Sequence, residues 1–314
     1  MRDIKEKKIL VTGGTGFIGT ALTKLLLEKG AIVNVLDLNT KTDIKNDNLT
    51  IIKGTVLGDD VLDIAMKDCE YVFHLAAMLG VRKTEGNRMI TLDTNIFGVK
   101  NVLDCCVRHN IKKVVFSSSS EVYGEQLRQP LEEDVSLSPK SVYAVTKIVG
   151  EEYLRAYKQT YDLDYTIVRY FNAYGPNQRK DFVFSGFMDK ISNYEPIGLY
   201  GNGSQIRAFC YIDDIINGTY LAFTNEDANS DVFNIGNCKE PISIRDLAIK
   251  IMKVYGRTVE IERIKFENSD RKKTREIFVR VPDISKAKKI LGYEPKVKLE
   301  EGIKKTIEQR EEKI

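Results

Sequence analysis

The chain is short of the residues that mark a metal protein or a disulfide scaffold. Its 314 residues hold two histidines, His74 and His109, neither in a cluster spaced for metal ligation, so no metal site is expected. Five cysteines (Cys69, Cys105, Cys106, Cys210 and Cys238) form no C-x-x-C pair and leave an odd count, which suits free thiols in a reducing compartment. No window reaches about 18 uninterrupted apolar residues. The opening MRDIKEKK leads into a strand without an apolar signal segment, so the expected location is the cytoplasm. A net charge of +3 is small for this length and excludes a general role on nucleic acid or at a membrane surface. Arg271, Lys272, Lys273 and Arg275 do form a basic run, but Glu267, Asp270 and Glu276 interleave it and no aromatic platform accompanies it. It reads as a solvated charged face. Internal repeats and low-complexity tracts are absent.

What is present is a regular alternation of strands and helices. Lys8–Thr12 is a β-branched apolar run, TGGTGFIG follows it, and ALTKLLLEKG then has the pattern of a helix. Gly13, Gly16 and Gly19 give a G-x-x-G-x-x-G spacing for a tight turn, close backbone approach to a pyrophosphate, and helix packing on strand. The helix start at Phe17 and Ile18 then offers amide donors and a positive dipole end to the phosphates. A second strand ends at Asp37, where an acid meets adenosine ribose hydroxyls and repels a 2′-phosphate, so NAD is expected over NADP. Further strands are expected over Leu49–Lys53, Tyr71–Ala77, Lys113–Ser117 and Tyr165–Tyr170, with helices over Asp59–Met66, Asp93–Asn110 and Ser141–Gln159. Small residues in Leu75, Ala76 and Ala77 leave room for the cofactor, and Asn95 near a helix start is counted with the cofactor-binding residues. His74 reads as a packed core histidine.

The alternation predicts an α/β fold, a doubly wound parallel Rossmann sheet with a second, smaller α/β substrate lobe. The NAD-binding domain is assigned to residues 1–176 with 205–236 returning to it, and the substrate lobe to 177–204 and 237–314. RAFCYIDDII reads as a strand and helix start returning to the main sheet, Val232–Ile235 as a further strand, and Ser243 as a helix cap.

The chemistry is expected between Phe116 and Lys147. Tyr143 and Lys147 stand four apart at the start of a helix, so they share a face about one turn apart. An ammonium beside the phenol favours phenolate and lowers the tyrosine pKa, which makes Tyr143 a candidate general base. Ser119, at the end of a strand, is placed to hydrogen-bond the same reacting oxygen. Base, cation and hydroxyl together are equipment for taking a proton from an alcohol.

In order along the chain, TGGTGFIG, HLAA, TNIFGVKNVL, SSSSEVYG, YAVTK, RYFNAYGP, GNGSQIRAFCYIDD and RVPDISKAKKILGYEP resemble the extended short-chain dehydrogenase/reductase family, in its nucleotide-sugar epimerase/dehydratase group. The resemblance implies that Tyr143 takes the C4 hydroxyl proton of a nucleotide-linked sugar while NAD accepts the C4 hydrogen. It implies that Lys147 tunes Tyr143 and contacts the nicotinamide ribose, and that Ser119 and Ser120 lie at the sugar. Asn172, Arg207 and Arg280 resemble residues that hold the substrate diphosphate and nucleotide, a task for which the planar guanidinium is suited. A homodimer formed through residues 93–110 and 141–160 is implied as well.

Two departures bear on the outcome. Gly54-Thr55-Val56 stands where many members carry Gly-Asp-Val, whose aspartate meets the adenine amino group. Ser120-Glu121 stands where 4,6-dehydratases carry the Asp-Glu pair that serves as acid and base. The run SEVYG resembles UDP-glucuronate decarboxylases, as do VFSGF and Arg280, although those enzymes usually carry Asn or Arg where Gly186 stands. The expected function is transient C4 oxidation of a nucleotide sugar, a UDP-sugar 4-epimerase first, then a UDP-glucuronate decarboxylase, then a dehydratase, with Glu121 in the catalytic set. An NAD(H)-binding sensor without catalysis is the reading from another class.

Overall fold

The structure is a computed structural model that describes residues 2–265 and 276–311. From the N-terminus come β1 (Lys8–Thr12), α1 (Phe17–Glu28), β2 (Ile32–Asp37), β3 (Leu49–Lys53), α2 (Asp59–Met66), β4 (Tyr71–His74), α3 (Val81–Gly86), α4 (Arg88–Leu92), α5 (Gly98–Arg108), β5 (Lys113–Ser119), α6 (Val142–Tyr161) and β6 (Asp164–Tyr170). They are followed by β7 (Ala173–Tyr174), α7 (Val183–Ser192), β8 (Ile197–Tyr200), β9 (Ile206–Ala208), β10 (Cys210–Tyr211), α8 (Ile212–Thr224), β11 (Asp231–Ile235), β12 (Pro241–Ser243), α9 (Ile244–Tyr255), β13 (Ile261–Ile264), β14 (Val279–Arg280), α10 (Ser285–Leu291) and α11 (Leu299–Glu311).

The main sheet has seven parallel strands in the order β3-β2-β1-β4-β5-β6-β11. Its strands read as unbroken apolar runs because helices cover both faces. Val11, Phe73, Val115 and Val168 pack on one face with Leu22 and Leu26 of α1 and Ile215 of α8. Leu10, Val72, Val114 and Ile167, one residue out of phase, pack on the other with Leu62, Val102 and Leu154. Strand order reverses between β1 and β4, the switch point at which sheets of this class open a crevice beyond their carboxyl ends.

Smaller sheets carry the later strands: β12-β9-β14, β13-β8 and β10-β7. Within residues 205–236, α8 packs on α1 and β6, and β11 pairs with β6. Ile206–Ala208 instead pairs with Pro241–Ser243 and Val279–Arg280, and Cys210–Tyr211 with Ala173–Tyr174, so neither joins the main sheet. The helix expected over Asp93–Asn110 begins earlier, at Arg88, and contains a π turn over Asp93–Phe97. Ser243 caps α9, its Oγ accepting the Asp246 N–H at 3.0 Å. Arg271, Lys272, Lys273 and Arg275 lie outside the described residues.

Candidate active site

The loop after β1 lies directly against the segment after β4. Gly13 has φ +73°, and a Cβ there would stand 2.8 Å from the Ala76 nitrogen. At Gly19 a Cβ would fall 2.1 Å from the Gly13 carbonyl oxygen, so glycine alone lets α1 start this close to the strand. No side chain caps α1 at Gly16, which leaves its first amides, at Phe17 and Ile18, as donors. Asp37, ending β2, accepts the Thr15 N–H at 3.1 Å and the Asn39 N–H at 3.2 Å, so its carboxylate stands beside the glycine loop. Close backbone approach, an uncapped helix start and an adjacent carboxylate are what a dinucleotide needs, and these residues fit one. Thr55 bends the chain after β3, its Oγ1 accepting the Leu57 N–H at 3.3 Å.

Leu75, Ala76 and Ala77 follow β4 as irregular, half-buried chain. Leu75 N–H donates to the Thr12 carbonyl at 3.1 Å and Ala76 N–H to Thr12 Oγ1 at 3.3 Å. Asn95, in the π turn, holds the far side of this segment. It accepts the Met78 N–H at 2.7 Å and donates to the Met78 carbonyl and to Thr146 Oγ1, both at 3.0 Å. Both its amide hydrogens are spent on protein, so its visible work is to fix the cleft wall and tie it to α6. His74 is a core residue as expected: Thr12 Oγ1 lies 2.7 Å from its Nδ1, and burial, with the nearby Lys147 charge, drives its pKa down to about 3.

On the other side of the cleft, Ser141 caps α6, its Oγ accepting the Ala144 N–H at 3.1 Å and donating to Glu121 Oε2 at 3.0 Å. The cap sets the helix so that Tyr143 and Lys147 face the end of β5. Ser119 Oγ faces the Tyr143 phenol, whose pKa it lowers, and accepts the Glu121 N–H at 3.2 Å. Lys147 Nζ donates to the Ser117 carbonyl at 2.6 Å and lies 4.8 Å from the Phe116 ring centroid and 5.6 Å from that of Tyr143. Ser119, Tyr143 and Lys147 are therefore together, as expected from the sequence.

Their electrostatics differ from expectation. The Tyr143 phenol sits above its ordinary pKa, raised first by burial and then by the Glu121 carboxylate, with the Ser119 hydrogen bond and Arg280 pulling the other way. Lys147 is itself drawn down to about 7 by burial, offset in part by Glu151. The ammonium expected to make a phenolate is thus engaged by a backbone carbonyl and weakened by the same burial that raises the phenol.

Arg280 joins the site from β14. Its Nη2 donates to Asn172 Oδ1 at 2.9 Å and its Nη1 lies 3.9 Å from Glu121 Oε1. Asn172, at φ +38°, also donates to the Ala208 carbonyl at 3.0 Å. Arg207 is held differently. Its guanidinium donates to the carbonyls of Ile206 at 2.8 Å and Ile277 at 2.7 Å and lies 3.5 Å from Glu276 Oε1. The visible effect is to pin residues 276–278 beside β9. Ser120 is buried in a 3₁₀ turn, Ser120–Tyr123. Gly124 ends that turn at φ +63°, where a Cβ would stand 1.8 Å from the Ser138 carbonyl oxygen. Gly186 is hemmed in as well, a Cβ there standing 2.8 Å from the Lys180 carbonyl oxygen.

Residues 9–236 match the family described as NAD dependent epimerase/dehydratase. The chain belongs to that family. It is accordingly an NAD-dependent enzyme of the isomerase or lyase type. It is 34% identical over 320 residues to a UDP-glucuronate 4-epimerase of Thermodesulfobacterium geofontis, covering 97% of this chain and 96% of the relative. A UDP-N-acetyl-alpha-D-glucosaminuronate decarboxylase of Bacillus cytotoxicus is 33% identical, with 96% and 97% covered. Among solved structures, the UDP-glucuronic acid 4-epimerase of Bacillus cereus, in complex with UDP-glucuronic acid and NAD, superposes with a TM-score of 0.89 at 32% identity, covering 98% of this chain and all of that one (100%).

Two features of this epimerase/dehydratase family member escape a reading of spacing alone. One is a surface cluster in which Asp63 Oδ1 lies 2.9 Å from His109 Nε2 and accepts Cys105 S–H at 3.4 Å. Cys105 on α5 and His109 just past its end are four apart, the one signal in the sequence. Arg108 Nη2 already occupies the same carboxylate oxygen at 3.0 Å, so the cluster is satisfied as an ion pair, and His109 and Arg108 hold the Asp63 carboxyl below its ordinary range. The other is the chain of buried polar groups behind Lys147, which runs from Ser118 through Glu151 and Arg169 to Tyr123. No helix among the described residues is long and apolar enough to cross a membrane.

Proposed function

We propose that the enzyme is a 4-epimerase of a UDP-linked sugar, acting through transient oxidation at C4. The observation that carries this reading is the convergence of Ser119 at the end of β5 with Tyr143 and, one helical turn on, Lys147, at the carboxyl edge of the sheet. Tyr143 takes the C4 hydroxyl proton and Ser119 holds the same oxygen. Lys147, fixed on the Ser117 carbonyl, keeps a donor beneath the phenol. Gly13, Gly16, Gly19 and Asp37 hold the dinucleotide, with Leu75, Ala76, Ala77 and Asn95 forming the opposite wall. NAD, when bound, supplies the two-electron acceptor for C4 and a cationic ring whose field favours phenolate.

Asn172 and Arg280 are assigned to the substrate diphosphate, and Arg207 to the frame that carries Arg280. Return of hydrogen to the other face of C4 needs no residue beyond these. Dehydration needs an acid where this chain has buried Ser120. Decarboxylation stays as the second reading because Glu121 and Arg280 form a charged pair at the site and a decarboxylase is among the relatives. Gly186, with no room for the side chain that decarboxylases usually carry, speaks against it.

The deciding experiment is proton NMR of the products from UDP-glucose, UDP-N-acetylglucosamine and UDP-glucuronate with NAD. A C4 epimer is the expected product. Release of CO2 with a UDP-pentose would establish the decarboxylase instead. Absence of product, together with no nicotinamide absorbance change, would leave a dinucleotide-binding sensor.

A homodimer is proposed through α4, α5 and α6, where Met89, Ile90, Phe97 and Tyr161 are each more than half exposed. Sedimentation showing only monomer would reject it. The cytoplasm is the proposed compartment, in keeping with five free thiols.

A further inference from the structure

A chain of buried polar side chains runs behind the site, among the apolar residues of the core. Ser118, Arg169 and Asn234 sit at register-paired positions on three neighbouring strands, Ser118 opposite Arg169 on β5 and β6, Arg169 opposite Asn234 on β6 and β11. These three, with Glu151 and Tyr123, are all buried. Glu151 lies one turn beyond Lys147 on α6. It accepts Ser118 Oγ at 2.6 Å, Arg169 Nε at 2.9 Å and Arg169 Nη2 at 2.6 Å, with Arg155 Nη2 at 3.5 Å on its outer side.

From Arg169 the chain continues outward. Arg169 Nη1 donates to Tyr123 Oη at 2.9 Å and to the Glu133 carbonyl at 3.0 Å. Tyr123 donates to Asn234 Oδ1 at 2.7 Å, and Asn234 Nδ2 donates to the carbonyls of Leu131 at 2.9 Å and Asp283 at 3.1 Å. That end holds the segment bearing Arg280. Asp283 N–H and Leu131 N–H bond across to Leu131 and Val281 carbonyls, each at 2.8 Å. Gln129 takes both neighbours of Arg280, donating to the Val279 carbonyl at 3.0 Å and accepting the Val281 N–H at 3.2 Å.

At its inner end the chain reaches Ser118, between two serines that face Lys147 and Tyr143. Lys147 donates to the Ser117 carbonyl, Glu151 holds the Ser118 hydroxyl, and Ser119 meets Tyr143. Helix and strand are thus joined by two adjacent rungs from residues four apart. A buried ion pair is weak evidence for stability, whereas a fully satisfied network fixes one arrangement of its parts.

We propose that the Glu151–Arg169–Tyr123–Asn234 ladder is a positioning device that couples the Arg280 segment to the Ser119–Tyr143–Lys147 group. Its members act through their neighbours and do not touch substrate. Seating of a nucleoside diphosphate against Arg280 is thereby transmitted to the serine end of β5. The coupling rests on the reading, given above, that Tyr143 and Arg280 serve one substrate.

The test is a double-mutant cycle on kcat/KM with Tyr123→Phe and Arg280→Lys. Tyr123→Phe deletes the hydroxyl between Arg169 and Asn234 and leaves the ring beside Phe171. The two losses are expected to overlap, the double variant being at least about fivefold more active than the product of the single losses. Losses that simply multiply would overturn the proposal. Hydrogen exchange on the NAD-loaded protein gives a readout without turnover. Saturating UDP should slow exchange across residues 117–123 in the parent and not in Tyr123→Phe, and equal slowing in both would also overturn it. Should Tyr123→Phe fold poorly, Asn234→Leu breaks the last rung and enters the same comparison. A parent that shows the UDP-dependent slowing yet turns over no UDP-sugar counts against the epimerase reading alone.

Discussion

Lys147 reaches the carbonyl of Ser117 at 2.6 Å and stands 5.6 Å from the centre of the Tyr143 ring. Both side chains face the same strand end, with no direct bond between them. The same burial that brings the two together lifts the phenol and lowers the amine.

Replacing Tyr143 with Phe removes the proposed base and little else. Turnover should fall about 10²- to 10⁴-fold while NAD affinity stays unchanged, as read by steady-state rates and by fluorescence titration. Near-parental turnover would take Tyr143 out of the mechanism.

Glu121→Gln tests the field around the phenol. The carboxylate raises the Tyr143 pKa, so its removal should lower that pKa and move the limb of the kcat/KM–pH profile that requires phenolate towards lower pH. Arg280, freed from the pair at 3.9 Å, acts in the same direction. A limb that stays in place or moves upward would remove Glu121 from the control of Tyr143.

Asp37→Ala should weaken NAD binding about tenfold or more, roughly 1.4 kcal/mol, with substrate affinity nearly unchanged. The carboxylate also holds the Thr15 amide at 3.1 Å, so Asp37→Asn, which keeps an acceptor, should recover part of the loss. Equal affinity in parent and Asp37→Ala would refute the ribose assignment.

Lys113 lies far from the cleft and is fully buried, its ammonium donating to the carbonyls of Ala222 at 3.1 Å and Phe223 at 3.3 Å near the end of α8. Burial draws its pKa down to about 7, while the carbonyl end of a helix favours the charge. Lys113→Met leaves those carbonyls without their donor and should cost about 2–4 kcal/mol in urea unfolding, with NAD affinity intact in the folded protein. A loss below about 0.5 kcal/mol would show that the cap contributes little.

The sequence by itself determined the parts whose meaning is local. The three glycines, the acid closing β2, the alternating strands and helices and the Tyr143–Lys147 pair are each a local pattern, so they can be read from the sequence. Even some limits were legible, since His74 is the core residue that its apolar strand suggested.

Tertiary structure decided the rest, because burial and long-range partners are set by packing. It raised the phenol that spacing alone would lower. It set Arg207 against the backbone of residues 276–278 and Arg280 against Asn172 and Glu121, although both arginines look alike in sequence. It also joined Glu151 to Arg169, eighteen positions away, and Tyr123 to Asn234, more than a hundred away. A chain records which side chains it carries; only the folded sheet, by laying β5, β6 and β11 edge to edge, settles which of them lose water and meet.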